Sequence, residues 1–244
     1  MTLLGFDTAT RATAVALWSP DGLTHEARDD PPSGSRPRHT SRLMPLIVEL
    51  FEETGLGWND VEAIAVGTGP GTFTGLRIGI ATARALARAR GLPLVGISTL
   101  ESLALGGIDA AAGQRAVDEL ALANVDVVVA VIDARRGEVF AAAYAPDRTR
   151  VLEPCAIAPE ALGETLSALG SKVLAVGDGA VEFKGVLEGS GALVAEDLSD
   201  INRVTAINHC RLANGRPPSP PDEVHPEYLR LPDAEIARRA ANSP

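Results

Sequence analysis

Apolar positions near the N-terminus fall in two short alternating runs, Leu3 to Phe6 and Ala12 to Trp18, which predict a β-hairpin followed by the turn SPDG. After the polar, proline-rich PPSGSRPR, the segment His39 to Thr54 carries Leu43, Leu46, Ile47, Leu50 and Phe51 at helical spacing. Pro45 falls early enough in that helix for its missing N–H to do little harm, and Gly55 and Gly57 end it. Val61 to Val66 reads as a buried strand, Thr74 to Arg90 as a helix and Leu92 to Ile97 as another strand. The pattern then returns: a hairpin from Val127 to Tyr144, a helix near Pro159 to Leu169 and a strand from Val173 to Val176.

The return is visible residue by residue. FDTATRATAVALWSPD at 6–21 matches IDARRGEVFAAAYAPD at 132–147 without a gap, so that Asp7 and Asp133, Trp18 and Tyr144, and Pro20 and Pro146 are each 126 apart. A second pair follows in the same order, AVGTG at 65–69 and AVGDG at 175–179. Coincidence in an Ala/Val/Gly-rich chain is the alternative; two matches in one order favour duplication. Hairpin, third strand, helix, strand, helix, strand is the order of a ribonuclease-H-like α/β lobe, and two in tandem make the actin-like (ASKHA) architecture. The expected division is an N-terminal lobe, residues 1–104, and a C-terminal lobe, 105–221. The boundary falls in the Ala-rich stretch Gly106 to Asn124, read as a connecting helix. PPSPPD at 217–222 marks a break before a C-terminal helix, 222–244, expected to pack back on the first lobe.

Composition narrows the function. Of 244 residues, 45% are hydrophobic and 22% charged, as in ordinary globular proteins. No apolar run reaches membrane-spanning length, and the N-terminus has no basic secretory n-region, so a cytoplasmic protein is expected. Cys155 and Cys210 stand apart and read as reduced thiols. The net charge of −10 suits a polyanion poorly, so a role on nucleic acid would need a partner to hold it.

The run GTGPGTFTGLRIGIATARALA at 67–87 raises a choice. It lacks the Gly-Lys-Ser/Thr of a P-loop and the GxGxxG order of a dinucleotide fold. Backbone amides at the start of its helix could still attract an anion, which makes Asp7, Thr8, Gly69, Gly71 and Thr72 a candidate residual nucleotide or anion site. Asp7 and Asp133 read equally well as residues capping their own turns. Within the helix, Gly75, Gly79, Ala83 and Ala87 recur every four residues and form a nearly bare stripe. Such a stripe packs either on the lobe's own sheet or against a partner. The partner reading is preferred, with Leu76, Ile80 and Leu86 left for the sheet.

That run, with LGFDTAT at 4–10, HTSRLMPLI at 39–47, LPLVGISTLESLA at 92–104 and HPEYLR at 225–230, resembles the bacterial TsaB (YeaZ) family over most of the chain. The resemblance implies two actin-like lobes and a place in the machinery that makes threonylcarbamoyladenosine in tRNA. Expected partners are a catalytic paralogue, TsaD, and an ATPase, TsaE, with a homodimer when the chain is alone and tRNA contacted mainly through partners. TsaD-like chains carry a metal-binding HxxxH after the strand matching Leu94 to Ile97; here those positions hold Thr99 and Leu103, a poor ligand and no ligand. No catalytic residue and no metal site are therefore expected, and His39 is read as structural. Whether ATP or ADP binds weakly at the inter-lobe cleft or at the complex interface is left open.

The expected function is a non-catalytic scaffold that activates the enzyme adding threonylcarbamoyl to N6 of adenosine 37 in tRNAs reading ANN codons. The expected interface is Leu43, Leu46, Ile47 and Leu50 on one helix and Gly75, Arg77, Gly79, Ala83, Arg84 and Ala87 on the other. Arg77, Arg84 and Arg88 are expected to meet Glu49, Glu52 and Glu53. On this reading Gly79→Arg abolishes association and leaves the monomer folded. The alternative is an independent actin-like phosphotransferase using Asp7. A metalloprotease or a Ser-His-Asp hydrolase finds no supporting motif.

Overall fold

The computed structural model describes residues 1–32, 34–113, 122, 124–196 and 199–230. Its first sheet holds β1 (Leu3–Asp7), β2 (Thr13–Trp18), β3 (Thr24–Asp29), β4 (Ala63–Gly69) and β5 (Leu94–Ser98) in the order β3-β2-β1-β4-β5. β1, β2 and β3 are antiparallel, while β4 and β5 run parallel to β1. The second sheet, β6 (Val127–Arg135), β7 (Glu138–Tyr144), β8 (Arg150–Ile157), β9 (Val173–Val176) and β10 (Leu193–Val194), is ordered β10-β9-β6-β7-β8. Counted within each lobe, the first is third-second-first-fourth-fifth and the second is the same order read from its other edge, so the duplicated segments occupy equivalent strands. The pairing is offset by one residue: Trp18 stands opposite Leu3, and Tyr144 opposite Val128 rather than Val129.

The predicted α1 (His39–Thr54) ends at Gly55, whose φ of 69° is the left-handed conformation glycine adopts without strain. With α2 (Phe73–Arg90) it covers one face of the first sheet, where Leu4, Phe6, Val15, Leu17, Ile64 and Val66 point. Strand alternation sends Leu3, Gly5 and Asp7 to the opposite face.

That opposite face shows how the lobes are joined. α3 (Thr99–Ala111) begins directly after β5, yet Leu100, Leu103, Ala104 and Ile108 pack beneath the second sheet, on Val128, Ala130, Ile132 and Val176. α7 (Ala206–Ala213), from the C-terminal half, returns to the first sheet, where Ala206, Cys210 and Ala213 meet Leu3, Ala14 and Ala65. The far face of the second sheet is closed by α4 (Pro159–Ala168), α5 (Asp178–Glu182) and α6 (Lys184–Gly189). A cut between residues 104 and 105 would run through α3 and part α7 from the sheet it covers. The connecting helix read at Gly106 to Asn124 starts earlier, at Thr99, and is described to Ala111; residues 114–121 and 123 lie outside the described residues.

The C-terminal segment is corrected too. Residues 221–223 make a single 3-10 turn and 224–230 are not helical; residues 231–244 lie outside the described residues. The described part is a strap along α2. Ser219 N donates to Leu94 O (2.9 Å), Glu227 N donates to Thr68 O (2.7 Å), and Val224 is buried in the first lobe's core. Arg230 reaches across to Glu138 of β7 at 2.8 Å.

Candidate functional site

Asp7 ends β1 on the face covered by α7 and α3, and its side chain is 1% exposed. Three elements converge on it. The Thr99 hydroxyl, at the start of α3, donates to Oδ2 at 2.8 Å. His209 Nε2, from α7, lies 3.0 Å from the same oxygen. Ala9 N donates to Oδ1 at 2.7 Å, closing a turn within β1's own exit. Behind His209, Nδ1 stands 2.9 Å from Ser102 Oγ and 3.0 Å from Thr205 O, so both ring nitrogens have an oxygen within reach. Burial pushes the Asp7 carboxyl up, but the His209 contact and the donors from Ala9 and Thr99 outweigh it and hold the group below its ordinary value.

Asp133 repeats part of this design. Its Oδ1 accepts from Arg135 N at 2.7 Å, the same two-residue turn that Asp7 makes with Ala9. The turn-capping reading therefore holds for both aspartates.

The structure does bring Asp7, Thr8, Gly69, Gly71 and Thr72 together, but they close on one another. Thr72 N donates to Ala9 O at 2.7 Å, and Gly69 N to Thr99 Oγ1 at 3.2 Å, so these two amides are engaged inside the chain. Thr8, 2% exposed, donates to Gly75 O at 2.7 Å. A Cβ at Gly67 would overlap Asp7 Oδ2, and one at Gly71 would overlap Ala9 O.

The bare stripe on α2 is used up by the same crossing. A Cβ at Gly75 would overlap the Thr8 carbonyl oxygen, and one at Gly79 would overlap Thr8 Oγ1; Ala83 and Ala87 are 0% and 1% exposed. The helix axis comes this close to the end of β1 only because those side chains are missing. Leu43, Leu46, Ile47 and Leu50 are likewise core residues, none more than 2% exposed. None of these eight positions can form a partner surface directly. The arginines are also engaged elsewhere than expected: Arg84 donates to Val224 O and Asp222 O, Arg88 pairs with Asp222, and Arg77 stacks over Phe73. Glu49 pairs with Arg42 at 3.2 Å. What α1 and α2 present outward is Met44 (40% exposed) and Val48 (48%), with Phe51 half-buried and Arg77 and Ala81 exposed.

The positions matched to HxxxH do not fit a transition metal. The Thr99 hydroxyl is on Asp7, and the Leu103 side chain packs at Gly177. His39 opens α1, 3% exposed, with Nδ1 2.9 Å from Thr13 Oγ1. Sequence reasoning missed Ser102 and His209; the only signal was a histidine among the small and apolar residues of AINHCRLA at 206–213. Between the lobes a cavity of about 220 Å³ remains, with Arg28, Asp178 and Asn202 among its lining residues. Asp178 Oδ1 accepts from Asp133 N at 3.1 Å; the residue is exposed to the cavity, but the protein packed around its carboxyl, with the nearby Asp133 charge, pushes that group up to about 6.

The chain as a whole is similar to known proteins. A family model described as TsaD, tRNA N6-adenosine threonylcarbamoyltransferase, matches residues 31–182. The tRNA threonylcarbamoyladenosine biosynthesis protein TsaB of Escherichia coli K12 is 35% identical over 183 residues, which are 73% of this chain and 72% of that protein. TsaB of Bacillus subtilis is 31% identical over 59% of this chain and 55% of its own length. YeaZ from Pseudomonas aeruginosa superposes with a TM-score of 0.73 at 26% identity, covering 93% of this chain and 99% of that one.

Proposed function

The chain belongs to the TsaB family of tRNA threonylcarbamoyladenosine biosynthesis proteins, and from that membership we propose that it is a non-catalytic subunit that binds and activates a TsaD-like enzyme. That enzyme would transfer a threonylcarbamoyl group to N6 of adenosine 37 in tRNAs reading ANN codons. The observation that carries the reading is the Thr99–Asp7 hydrogen bond: where a TsaD-like chain resembling this one has a metal-binding histidine, an uncharged hydroxyl seals a buried carboxylate. The residues that would touch a substrate are turned onto one another.

On this reading the partner docks on the outward face of α1 and α2, at Met44, Val48, Arg77 and Ala81, and not on the buried stripe. A TsaE-like ATPase joins the assembly, the isolated chain pairs with itself through the same face, and tRNA is held mainly by partners. The net charge of −10 supports that last point, because phosphate neutralisation supplies most nucleic-acid affinity. The working compartment is the cytoplasm. A phosphotransferase is not favoured: its candidate carboxylate, Asp7, is 1% exposed and fully occupied by Thr99, His209 and Ala9.

The test is reconstitution. The TsaD-like protein of the same genome, given threonylcarbamoyl adenylate and a tRNA transcript, is expected to modify the tRNA at an appreciable rate only when this chain is added. Modification by this chain alone would overturn the non-catalytic reading, and a partner indifferent to its presence would overturn the activator reading.

A further inference from the structure

From Ala63 to Leu100 this acidic chain has no Asp or Glu and four arginines, Arg77, Arg84, Arg88 and Arg90, all on α2. Arg88 is neutralised by Asp222. Arg77 and Arg84 are held by neutral groups instead. The Arg77 guanidinium lies 3.7 Å from the centre of the Phe73 ring, and its Nε donates to the Tyr228 hydroxyl at 3.3 Å. Arg84 donates to Val224 O from Nε (3.1 Å) and Nη2 (2.7 Å), and Nη2 also reaches Asp222 O (3.1 Å) and His225 Nδ1 (3.0 Å). Carbonyls, a phenol and a ring face orient a guanidinium without cancelling its charge. Among the described residues, neither arginine has a carboxylate at ion-pair distance.

Between these two cations, α2 and the strap leave a groove of about 290 Å³, with Ile80, Ala81, Pro226 and Tyr228 as its apolar surface. The strap fixes its shape, because Tyr228 stacks on Phe73 at 5.1 Å between ring centres and Val224 is anchored in the core. An apolar slot with a charged residue on each side matches a segment that inserts one bulky apolar side chain and flanks it with carboxylates. Phosphate chains are the poorer match: their affinity grows with the number of phosphates neutralised, and the groove offers Arg77 and Arg84 on a chain of net charge −10.

We propose that the α2–strap groove docks an acidic, apolar-anchored segment of the protein partner, so that the C-terminal strap forms half of the docking site. This rests on the partner reading above and gives that partner's contact its chemistry.

The test measures binding of the same-genome TsaD-like protein by calorimetry at low and high salt, using full-length chain. Arg77→Glu reverses one rim charge without touching the core, and Ala81→Trp fills the groove from an exposed position. Each is expected to weaken binding by roughly 10-fold or more, with wild-type affinity falling as salt rises and the Arg77→Glu variant less sensitive to it. Urea unfolding of both variants is expected to match wild type. If wild type binds and both variants bind within about twofold of it, the groove assignment is overturned. It is also overturned if the variants lose only tRNA retention or only self-association. Tighter partner binding by a full-length Asp233→Lys/Glu235→Lys chain would assign the groove to the chain's own C-terminus and overturn the partner assignment equally. A wild-type chain that does not bind the TsaD-like protein at all sinks the partner reading itself, which is a distinct result.

Discussion

The Thr99 hydroxyl donates to the Asp7 carboxylate at 2.8 Å, tying the first residue of α3 to the last residue of β1. α3 goes on to pack under the second sheet and β1 is the centre of the first, so this bond pins the start of the crossing helix to the first sheet. His209, reaching the same carboxylate from α7, ties in the helix that crosses back.

Thr99→Val keeps the shape of the side chain and removes the donor. A buried carboxylate deprived of one hydrogen bond is expected to lower stability by about 1–3 kcal/mol at neutral pH. The folded-state pKa of Asp7 lies below its ordinary value, so its contribution is present above the unfolded value and lost as pH falls through the folded one. Weakening that depression moves acid unfolding of the variant to higher pH. Urea midpoints at neutral and acidic pH check both effects, and Thr99→Ser should restore most of the loss.

Gly75→Ala and Gly79→Ala test where the bare stripe of α2 is used. Alanine gains about 1 kcal/mol of helix propensity, whereas overpacking costs about 1–3 kcal/mol. Gly75 faces a backbone carbonyl that cannot rotate away, and Gly79 faces a hydroxyl held by its own bond to Gly75 O. Gly75→Ala is therefore expected to be the more destabilising, by about 2 kcal/mol net, and Gly79→Ala by about 1 kcal/mol or less. Gly79→Arg should fail to fold, in contrast to a folded monomer that merely loses its partner. Soluble yield and urea unfolding decide; a fully stable Gly79→Arg monomer would return the stripe to the surface.

Much of this was legible in the chain because it is local. The bounds of α1 follow from the spacing of Leu43, Leu46, Ile47 and Leu50 and from Gly55, and β9 is an uninterrupted apolar run. The duplication was readable because the paired segments kept Asp7 and Asp133 at the same place in the same turn. The crossing of the lobes was not. α3 is buried along nearly its whole length and has no polar face to give it a period, while α7 is short and buries Asn208 and His209 through long-range contacts. Periodicity also gave the right face of α2 but could not say whose backbone would lie against it, and it is silent about an irregular strap.

Asp178→Asn probes the inter-lobe cavity. The Asp178 carboxyl, on an exposed residue but raised from 3.8 to about 6 by the protein packed around it, binds its proton more tightly in the folded state. Its effect therefore lowers stability as pH rises through that window, from the unfolded value to the folded one. Asparagine keeps an oxygen for Asp133 N and removes the titration. The variant is expected to lose that downward slope and to be at least as stable as wild type at neutral pH, by chemical denaturation across the window. An unchanged slope would mean that the carboxyl is solvated in the folded chain.

Met44→Asp combined with Val48→Asp examines the outward face of α1. The two side chains are 40% and 48% exposed, one helical turn apart, and neither belongs to a core cluster. In the monomer the change buries no charge, so its stability should stay within about 0.5 kcal/mol of wild type. If a partner covers this face, each lost apolar side chain removes about 1.5–3 kcal/mol of burial and each new carboxylate must be desolvated. Affinity for the TsaD-like protein should then fall by roughly 100-fold or more, and activation of tRNA modification with it. A variant that binds and activates normally would place the contact elsewhere, while a variant defective in self-association alone would assign this face to the homodimer. Because the buried Leu43 and Leu46 lie beside these positions, the isolated monomer's unfolding curve is the control that separates a lost contact from a lost fold.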